Sequence, residues 1–402
     1  MERYRLTKNH QCEFHGGAAL KDCNAFPDLP SIVDTDKEKI DRIIAIGDIH
    51  GDLDLAIACM EVADLIERVY EEDKDGSTVT LFYKEEKVKR IYKWIGKKTV
   101  VVQVGDQVDR CRPFNHECHI PEATINDEAS DVTIMFFYYD LHVAALKADC
   151  AVYSLLGNHE LLNVLGNMKY VSYKGLIEFP SKTADLAKGR IDAFSLDSKK
   201  KVFKDQSSLT EFMGCTRQSS MIVDGYLFVH AGIMERLINY TNKNKKVVDR
   251  ESVTTINQLV GRWLLNDNTT DDKVFIMKLL AGKFMSPFWP RIFGTIKTNL
   301  ELASEQCQKY VKPVLELLKL KGIVVGHTPQ LKNNINSTCS NTVWRVDIAG
   351  SQAFDEVLFE GVEEKEKQSI QKFREPHVLE IMLGRDGKED AFSLLPKGIE
   401  LK

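Results

Sequence analysis

The 402-residue sequence lacks the long apolar runs and the one-sided charge that mark membrane and nucleic-acid-binding proteins. Its longest apolar runs, such as the one from Thr99 to Val104, are strand-sized and far shorter than the roughly 20 residues of a membrane-spanning helix. The 54 basic and 59 acidic residues leave a net charge of −5. Because such a chain offers no positive field to a polyanion or an anionic surface, we expect neither nucleic acid nor membrane as a partner.

The sequence also lacks a leader pattern and a regular cysteine framework. Its first residues, MERYRLTKNHQCEFHGG, contain no apolar segment of the kind that secretory signal peptides carry. The nine cysteines are scattered and odd in number, which does not indicate a disulfide framework. These features predict a reducing, cytoplasmic location. A content of 43% hydrophobic and 28% charged residues excludes a disordered, collagen-like or coiled-coil chain.

Five short β-branched segments, each followed at once by small or polar residues, organise the middle of the chain. They are RIIAIGD (42–48), TVVVQVGD (99–106), AVYSLLGN (151–158), GYLFVHAG (225–232) and GIVVGHT (322–328). Near-continuous apolar runs of this length predict strands that are buried on both faces. Apolar residues near helical spacing predict helices over 53–70 and 131–148. Strands that alternate with helices indicate a layered α/β sheet.

The remaining segments suggest how the chain is divided. Residues 1–35 contain few apolar residues and are interpreted as an irregular N-terminal extension. We expect the main domain over 36–384, with a last strand at 378–383, and a C-terminal tail over 385–402. The polar stretch 180–215 is interpreted as an insertion that caps the site.

Each of the five predicted strands ends in residues that bind metal ions or phosphate. Asp48 and His50 follow the first strand, Asp106, Asp109 and Arg110 the second, Asn158, His159 and Glu160 the third, His230 the fourth and His327 the fifth. Ligands of open α/β sheets bind beyond the carboxyl ends of the strands. We therefore expect these groups to converge on one site.

The motifs GDIHG, GDQVDR, GNHE, HAG and GHT, in this order, resemble those of the calcineurin-like metallophosphoesterase superfamily. VDR and GNHE resemble its phosphoprotein phosphatase branch in particular. HAGIMERL followed by INQLVGRWL resembles the bacterial-like, Shewanella-type group of that branch. The resemblance extends from about Arg42 to about Ser351. It implies the metallophosphatase fold, a layered β-sandwich of mixed sheets flanked by helices.

The resemblance also implies a site for two metal ions that share one ligand. Asp48, His50 and Asp106 would hold the first ion, and Asp106, Asn158, His230 and His327 the second, with Asp106 bridging them. Carboxylate, imidazole and amide oxygen ligands suit Mn, Fe or Zn. In such a site the shared water loses a proton and attacks phosphorus in line.

The same resemblance assigns the remaining roles. His159 would protonate the leaving oxygen, and Asp109 would orient its imidazole and stabilise its charged form. Arg110 would bind the phosphate with its planar fork of donors, together with Asn158.

A second phosphate-binding arginine is expected after the fourth motif. Arg291, in PFWPRIF, is the choice, and Arg262, in GRWL, is the alternative. Cys111 stands where the family usually has the glycine after VDR, which puts the turn behind Arg110 in doubt.

The function implied is hydrolysis of phosphomonoesters in proteins, on phosphoserine, phosphothreonine or phosphotyrosine, so that the expected partner is a phosphoprotein or phosphopeptide. One alternative is a small-molecule phosphoesterase, that is, a nucleotidase, phosphodiesterase or dinucleoside-polyphosphate hydrolase. Many diesterase relatives carry a second histidine in the fifth motif, where Pro329 stands here. The other alternative is a catalytically silent phosphoprotein-binding adaptor, although such relatives usually lose a ligand and none is lost here.

Overall fold

The computed structural model describes residues 4–6, 12–14, 23, 26–34, 40–83, 88–113, 117–179, 181, 183–196, 208–241, 249–282, 284–331, 333–359, 362–384 and 388–397. The described strands, in chain order, are β1 (Tyr4–Leu6), β2 (Cys12–Phe14), β3 (Ile32–Val33), β4 (Arg42–Ile46), β5 (Ile66–Val69), β6 (Thr78–Tyr83), β7 (Val88–Trp94), β8 (Thr99–Gln103), β9 (Ala151–Leu155), β10 (Arg217–Gln218), β11 (Ser220–Val223), β12 (Tyr226–Val229), β13 (Gly322–Val325), β14 (Asn336–Thr338), β15 (Val343–Arg345), β16 (Val378–Met382) and β17 (Ala391–Leu395).

The described helices are α1 (Leu53–Val62), α2 (Asp131–Leu146), α3 (Asn158–Val164), α4 (Tyr173–Ile177), α5 (Ala187–Ala193), α6 (Leu209–Thr216), α7 (Glu235–Thr241), α8 (Glu251–Leu264), α9 (Thr270–Ala281), α10 (Ile292–Thr295), α11 (Glu305–Tyr310), α12 (Lys312–Leu318), α13 (Asp355–Phe359) and α14 (Glu364–Phe373). A 3₁₀ turn, Gln352–Phe354, precedes α13. Among these helices, none has the length and apolar character needed to cross a membrane.

Two six-stranded mixed sheets form the centre of the fold. The first has the order β10-β9-β8-β4-β16-β17, and the second the order β14-β15-β13-β12-β11-β3. In the first sheet, β4, β8, β9 and β10 are parallel, and β16 and β17 extend it antiparallel. In the second, β12, β13 and β15 are parallel. A three-stranded antiparallel sheet, β5-β7-β6, lies apart from both.

Successive side chains of a strand point to opposite faces of the sheet, and both faces are buried here. This explains why the strands are near-continuous apolar runs. In β4, Ile43 and Ala45 belong to the core between the two sheets, whereas Ile44 and Ile46 belong to the core shared with α1 and α2. The outer face of the second sheet packs on the helices between α6 and α12 in the same way. The chain is therefore a β-sandwich flanked by helices, as expected, because both faces of each sheet are covered.

The predicted elements match the structure with one error. The five central strands are present as β4, β8, β9, β12 and β13, the last predicted strand is β16, and the predicted helix over 131–148 is α2. The helix predicted over 53–70 ends at Val62. Asp64 takes a left-handed φ of 52°, which ends the helical conformation. Ile66 then begins β5 and pairs with Trp94 of β7, so the second half of the helix prediction was wrong.

The predicted domain boundaries stay predictions, but several elements lie near them. Within the proposed N-terminal extension, β1 pairs with β2 and β3 pairs in parallel with β11. Within the proposed tail, β17 is an edge strand of the first sheet. Helix α5 lies within the stretch interpreted as an insertion, which also includes residues 197–207, outside the described residues.

The prediction that the cysteines form no disulfide framework was wrong. Three disulfides join Cys23 to Cys215, Cys111 to Cys118, and Cys307 to Cys339. Cys59 and Cys150 are buried free thiols. Chain folding brings together cysteines as far as 192 residues apart, and their scatter along the sequence conceals this. The cytoplasmic location stays a prediction.

Candidate metal centre

The carboxyl ends of strands from both sheets meet at one point, where the loops that follow them are joined by hydrogen bonds. The backbone N–H groups of Ile49 and His50, after β4, both donate to the carbonyl oxygen of Asp106, after β8. The N–H of His327, after β13, donates to the Asp48 carboxylate, at 3.0 Å from Oδ2. The strand ends singled out in the sequence are therefore adjacent in space.

The Asp106 carboxylate is the centre of this cluster. Its Oδ2 lies 3.3 Å from Nε2 of His230, 3.8 Å from Nε2 of His50 and 3.9 Å from Nε2 of His159. Two groups of possible metal ligands share it: His50, Asp106 and His159, and Asp106, His230 and His327. Asp48 joins the first group, with its Oδ2 3.8 Å from Nε2 of His50. A shared central carboxylate is the geometry that a bridging ligand requires.

Hydrogen bonds to backbone carbonyls fix two imidazoles with Nε2 facing inward. The Nδ1 atoms of His50 and His230 lie 3.3 Å from the carbonyl oxygen of Val108 and 3.0 Å from that of Val104. Because a carbonyl only accepts, each Nδ1 carries a proton, which leaves Nε2 as the ring nitrogen that faces the cluster. This arrangement is typical of histidine ligands, whose other ring nitrogen is held by a backbone group.

Asn158 completes the side of the cluster that faces the second sheet. Its Oδ1 lies 2.9 Å from Nε2 of His230, and the His230 and His327 rings meet edge to face at 4.9 Å. Two glycines of the sequence motifs allow the close approach. A Cβ on Gly157 would lie 2.1 Å from Oδ1 of Asp106, and a Cβ on Gly326 would lie 2.2 Å from Oδ1 of Asp48.

The electrostatics of the cluster suit a bound cation. Burial, together with Asp347 and Asp106, raises the pKa of Asp48 well above its usual value. Burial and the Arg112 guanidinium lower the pKa of His50, and burial and His230 lower the pKa of His327 to about 2. Crowded buried carboxylates beside neutral imidazoles form a donor set that fits Mn, Fe or Zn.

Glu160 is a support for this cluster. Its carboxylate accepts hydrogen bonds from the backbone N–H groups of Gly157 at 2.7 Å, Asp106 at 3.0 Å and Gln107 at 2.7 Å. It thereby ties the loop after β9 to the loop after β8, which fixes Asp106 relative to Asn158.

His159 and Asp109 form the expected pair. Nδ1 of His159 lies 2.8 Å from Oδ2 of Asp109, so that Nε2 is directed towards Asp106 and the cleft. The His159 N–H also donates to Oδ1 of Asp106 at 2.8 Å. The pair thus presents Nε2 of His159 at the edge of the cluster of possible metal ligands.

The cluster forms the floor of a cleft of about 1030 Å³. His50, Asp106, Asn158, His159, His327 and Asp347 line the floor, and Arg112 and Arg291 are among the charged residues of the cleft. Four aromatic residues, Tyr170, Phe284, Trp289 and Phe354, line it as well. A charged floor with aromatic walls suits a phosphate attached to a larger group.

Arg110 does not occupy the predicted position. Its guanidinium donates to the carbonyl oxygens of Asn126 at 3.1 Å and Gly51 at 2.8 Å, to Glu128, and to Gln352 at 3.0 Å. It is buried and is not among the described residues that line the cleft. Each nitrogen of its guanidinium donates to the protein, and the role of Arg110 in binding phosphate stays a prediction.

Arg112, two residues further, lies in the cleft instead. Its Nη1 donates to the carbonyl oxygens of Cys111 at 2.9 Å and Asp109 at 3.2 Å, and its guanidinium stacks on Phe354 at 4.5 Å. The Cys111–Cys118 disulfide closes the loop that begins beside it.

The two candidates for the second phosphate-binding arginine lie in different places. Arg291 lines the cleft, and its Nη1 donates to the carbonyl oxygen of His327 at 2.9 Å. Arg262, on α8, forms an ion pair with Asp272 at 3.1 Å. The structure therefore brings Arg291 and not Arg262 to the described cluster.

Sequence reasoning missed Asp347. It follows β15, is buried and lines the cleft beside the metal cluster. Burial, with Asp106 nearby, raises the pKa of its carboxyl group to about 6. The segment VWRVD (343–347) carried the signal, because it is another β-branched run that ends in an aspartate.

Comparisons with known proteins show which sequences and folds the chain resembles. A profile described as calcineurin-like phosphoesterase matches residues 41–331. Shewanella-like protein phosphatase 2 of Arabidopsis thaliana is 24% identical over 365 residues, which cover 83% of this chain and 77% of the plant protein. Uncharacterized protein R398 of Acanthamoeba polyphaga mimivirus is 36% identical over 230 residues, which cover 55% of this chain and 89% of the viral protein.

Among solved structures, the cold-active protein-tyrosine phosphatase of a psychrophilic Shewanella species is similar, with a TM-score of 0.53 and 18% identity. The superposition covers 92% of this chain and 86% of the Shewanella enzyme. At that identity, the likeness shows the fold alone.

Proposed function

The chain belongs to the calcineurin-like phosphoesterase family and is a phosphoester hydrolase, and on this basis we propose that it is a protein phosphatase with a dinuclear metal site. The observation that carries the proposal is the Asp106 carboxylate, whose Oδ2 lies within 3.9 Å of Nε2 of three histidines on the floor of the cleft. Such a carboxylate is suited to bridging two cations.

The residues that would hold the metals come from both sheets. Asp48, His50 and Asp106 would hold one ion, and Asp106, Asn158, His230 and His327 the other. Two bound cations would activate water for attack on phosphorus and offset the charge that develops on the phosphoryl oxygens.

His159 would act as the general acid. As a water oxygen forms its bond to phosphorus and the ester P–O bond breaks, the leaving oxygen takes the proton from Nε2 of His159. Asp109, 2.8 Å from Nδ1, holds the ring in orientation and stabilises its protonated form. General acid catalysis of this kind contributes roughly 10²–10⁴ in rate.

Arg112 and Arg291 would bind the phosphoryl oxygens. Both line the cleft, and each has one nitrogen held by a backbone carbonyl, which limits the freedom of its guanidinium. A planar guanidinium can bind two phosphate oxygens at once, so the two side chains would orient the phosphate above the cluster.

The walls of the cleft favour a substrate with an aromatic group next to the phosphate. Tyr170, Trp289 and Phe354 would contact a phenyl ring, and aromatic pairs gain about 0.5–1.5 kcal/mol beyond burial. Phosphotyrosine in proteins is therefore proposed beside phosphoserine and phosphothreonine. The Shewanella relative is named a protein-tyrosine phosphatase.

The test compares substrates on the same protein with added Mn²⁺ and with chelator. The substrates are a phosphotyrosine peptide, its phosphoserine counterpart, bis-p-nitrophenyl phosphate and diadenosine tetraphosphate. We expect metal-dependent hydrolysis of the peptides with a higher kcat/KM than for the diester or the dinucleotide. Preference for the latter two would support a small-molecule phosphoesterase, and phosphopeptide binding without any turnover would support an adaptor.

A further inference from the structure

A buried arginine outside the sequence motifs binds the carboxylate that orients the general acid. Arg190, on α5, has no exposed surface. Its Nη2 lies 3.1 Å from Oδ1 of Asp109 and 2.6 Å from Oδ2 of Asp131. Its Nε donates to Oδ1 of Asn163 at 2.7 Å, and its Nη1 to the carbonyl oxygen of Gly175 at 3.0 Å. Every nitrogen of the guanidinium is therefore engaged.

Two nitrogens of this guanidinium are connected to the pair formed by Asp109 and His159, one directly and one through Asn163. One reaches Asp109 directly, on the carboxylate oxygen that does not face His159. The other reaches Asn163, whose Nδ2 donates to that same Oδ1 of Asp109 and to the carbonyl oxygen of His159, at 2.8 and 2.9 Å. The Asp109 carboxylate is thus held on one side and presented to the imidazole on the other.

Two neighbouring phenylalanine rings pack against the guanidinium of this network. The Arg190 guanidinium lies 5.4 Å from the ring centre of Phe179 and 5.2 Å from that of Phe194. Such packing keeps water from the ion pairs and strengthens them. Burying an arginine is costly, and well-packed apolar residues often replace a buried ion pair at no loss of stability. A purely structural role would not require that the network end on the histidine partner.

We propose that Arg190 is a positioning residue for the general acid: it fixes the Asp109 carboxylate, and Asp109 in turn fixes His159 for proton transfer to the leaving oxygen. This inference rests on the proposed function, in which His159 is that acid. It concerns a segment that the sequence suggested only as an insertion, and it gives this segment a role in the reaction.

The experiment uses two leaving groups that differ in their need for a proton. p-Nitrophenolate leaves readily as an anion, whereas phenolate is a poorer leaving group and depends more on the acid. The variant is Arg190→Met combined with Asp131→Asn, because the second change removes a buried charge that would otherwise lose its cationic partner. Asparagine keeps an oxygen for the backbone N–H of Asp109, which donates to Oδ2 of Asp131 at 3.2 Å. Asp131→Asn alone, which keeps Arg190, is the matched control. kcat and KM are measured with Mn²⁺ for p-nitrophenyl phosphate and phenyl phosphate.

We expect the double variant to lose at least tenfold more kcat on phenyl phosphate than on p-nitrophenyl phosphate, with KM changed less than threefold. The control should keep the wild-type ratio. Proton NMR of the metal-free protein gives a second readout: the downfield Nδ1–H signal of His159, assigned by its absence in His159→Asn, should be lost or shifted in the double variant.

The outcomes separate the inference from the proposed function. If His159→Asn lowers kcat by the same factor on phenyl phosphate and on p-nitrophenyl phosphate, the role of His159 as acid is wrong. Suppose that His159→Asn lowers kcat more on phenyl phosphate, but the double variant lowers kcat equally on both substrates and keeps the NMR signal. Arg190 is then only structural and the inference is overturned. Should the double variant not fold, Arg190→Lys takes its place with the same expected discrimination, because the three donors of an ammonium cannot replace all four hydrogen bonds of the guanidinium.

Discussion

Four residues of the site adopt backbone conformations that L-residues rarely take. His50, Asp106, Asp109 and His327 have φ values of 47°, 53°, 74° and 64°. Left-handed backbone costs roughly 1–2 kcal/mol per non-glycine residue and persists where the surrounding structure enforces it. The motifs identified these residues by type and spacing. The left-handed turns that gather them could not be predicted, because the residue types do not encode them.

Asp106 and His159 should be the residues most sensitive to conservative change. We expect Asp106→Asn and His159→Asn each to lower the turnover of p-nitrophenyl phosphate with Mn²⁺ by about 10²–10⁴, because one loses the central charge and the other the acid. Asp73→Asn, an exposed aspartate that pairs with Lys93, is the control. Near-wild-type turnover in both variants, with folding verified by circular dichroism, would refute the mechanism.

Arg112 and Arg110 should respond differently to the same substitution. Arg112→Met is expected to weaken inhibition by inorganic phosphate at least tenfold with little change in Tm, since a charge-assisted hydrogen bond contributes about 1.5–3 kcal/mol. Arg110→Met should instead destabilise the fold by about 3–5 kcal/mol, because buried Asp52 and half-buried Glu128 lose their cationic partner. Inhibition constants and thermal unfolding test this, and weakened phosphate binding in a stable Arg110 variant alone would reverse the assignment.

Asp347 should make the metal-free protein less stable as the pH rises. Burial and Asp106 raise the pKa of Asp347 to about 6, against about 3.9 in an unfolded chain. Between these values the folded chain keeps a proton that the unfolded chain has lost, so stability present below the lower value is lost as the pH rises through 6. The loss is up to about 3 kcal/mol. Urea unfolding with chelator at pH 5 and 7.5 measures the part that is lost above pH 5, roughly 1.4 kcal/mol for the one pH unit up to 6. An unchanged pH dependence in Asp347→Asn would contradict the prediction.

At the scale of elements, apolar patterning predicted the strands well and the connections poorly. β4, β8, β9, β12 and β13 were predictable because both of their faces are buried, which requires a continuous apolar run. The contact of Arg190 with Asp109 could not be predicted, because the two residues are 81 positions apart and only the packing of α5 brings them together. The disulfide between Cys23 and Cys215 was missed for the same reason.

The disulfides should contribute to stability according to the length of chain that each one closes. Cys23 and Cys215 are 192 residues apart, and Cys111 and Cys118 only 7. Loop-closure entropy predicts a loss of about 5 kcal/mol for a double alanine variant of the first pair and about 2.5 kcal/mol for the second. Denaturant unfolding tests the ranking, and an equal loss in both would show that closure entropy does not govern it.

At the scale of the whole molecule, the sandwich assembles the site from two sheets. The first sheet supplies Asp48, His50, Asp106, Asn158 and His159 at its strand ends, and the second supplies His230, His327 and Asp347. The ligands proposed for the first ion all come from the first sheet, but those proposed for the second come from both sheets. The two-ion site would therefore exist only when the two sheets are packed face to face. Binding of metal should therefore stabilise the fold as a unit.

The most direct test of the central claim is the metal stoichiometry of purified protein, titrated with Mn²⁺ from the metal-free state while hydrolysis of p-nitrophenyl phosphate is followed. We expect two ions per chain at full activity, loss of activity with chelator, and fewer bound ions in Asp106→Asn. Full activity in metal-free protein, or saturation at one ion with Asp106→Asn unaffected, would contradict the account.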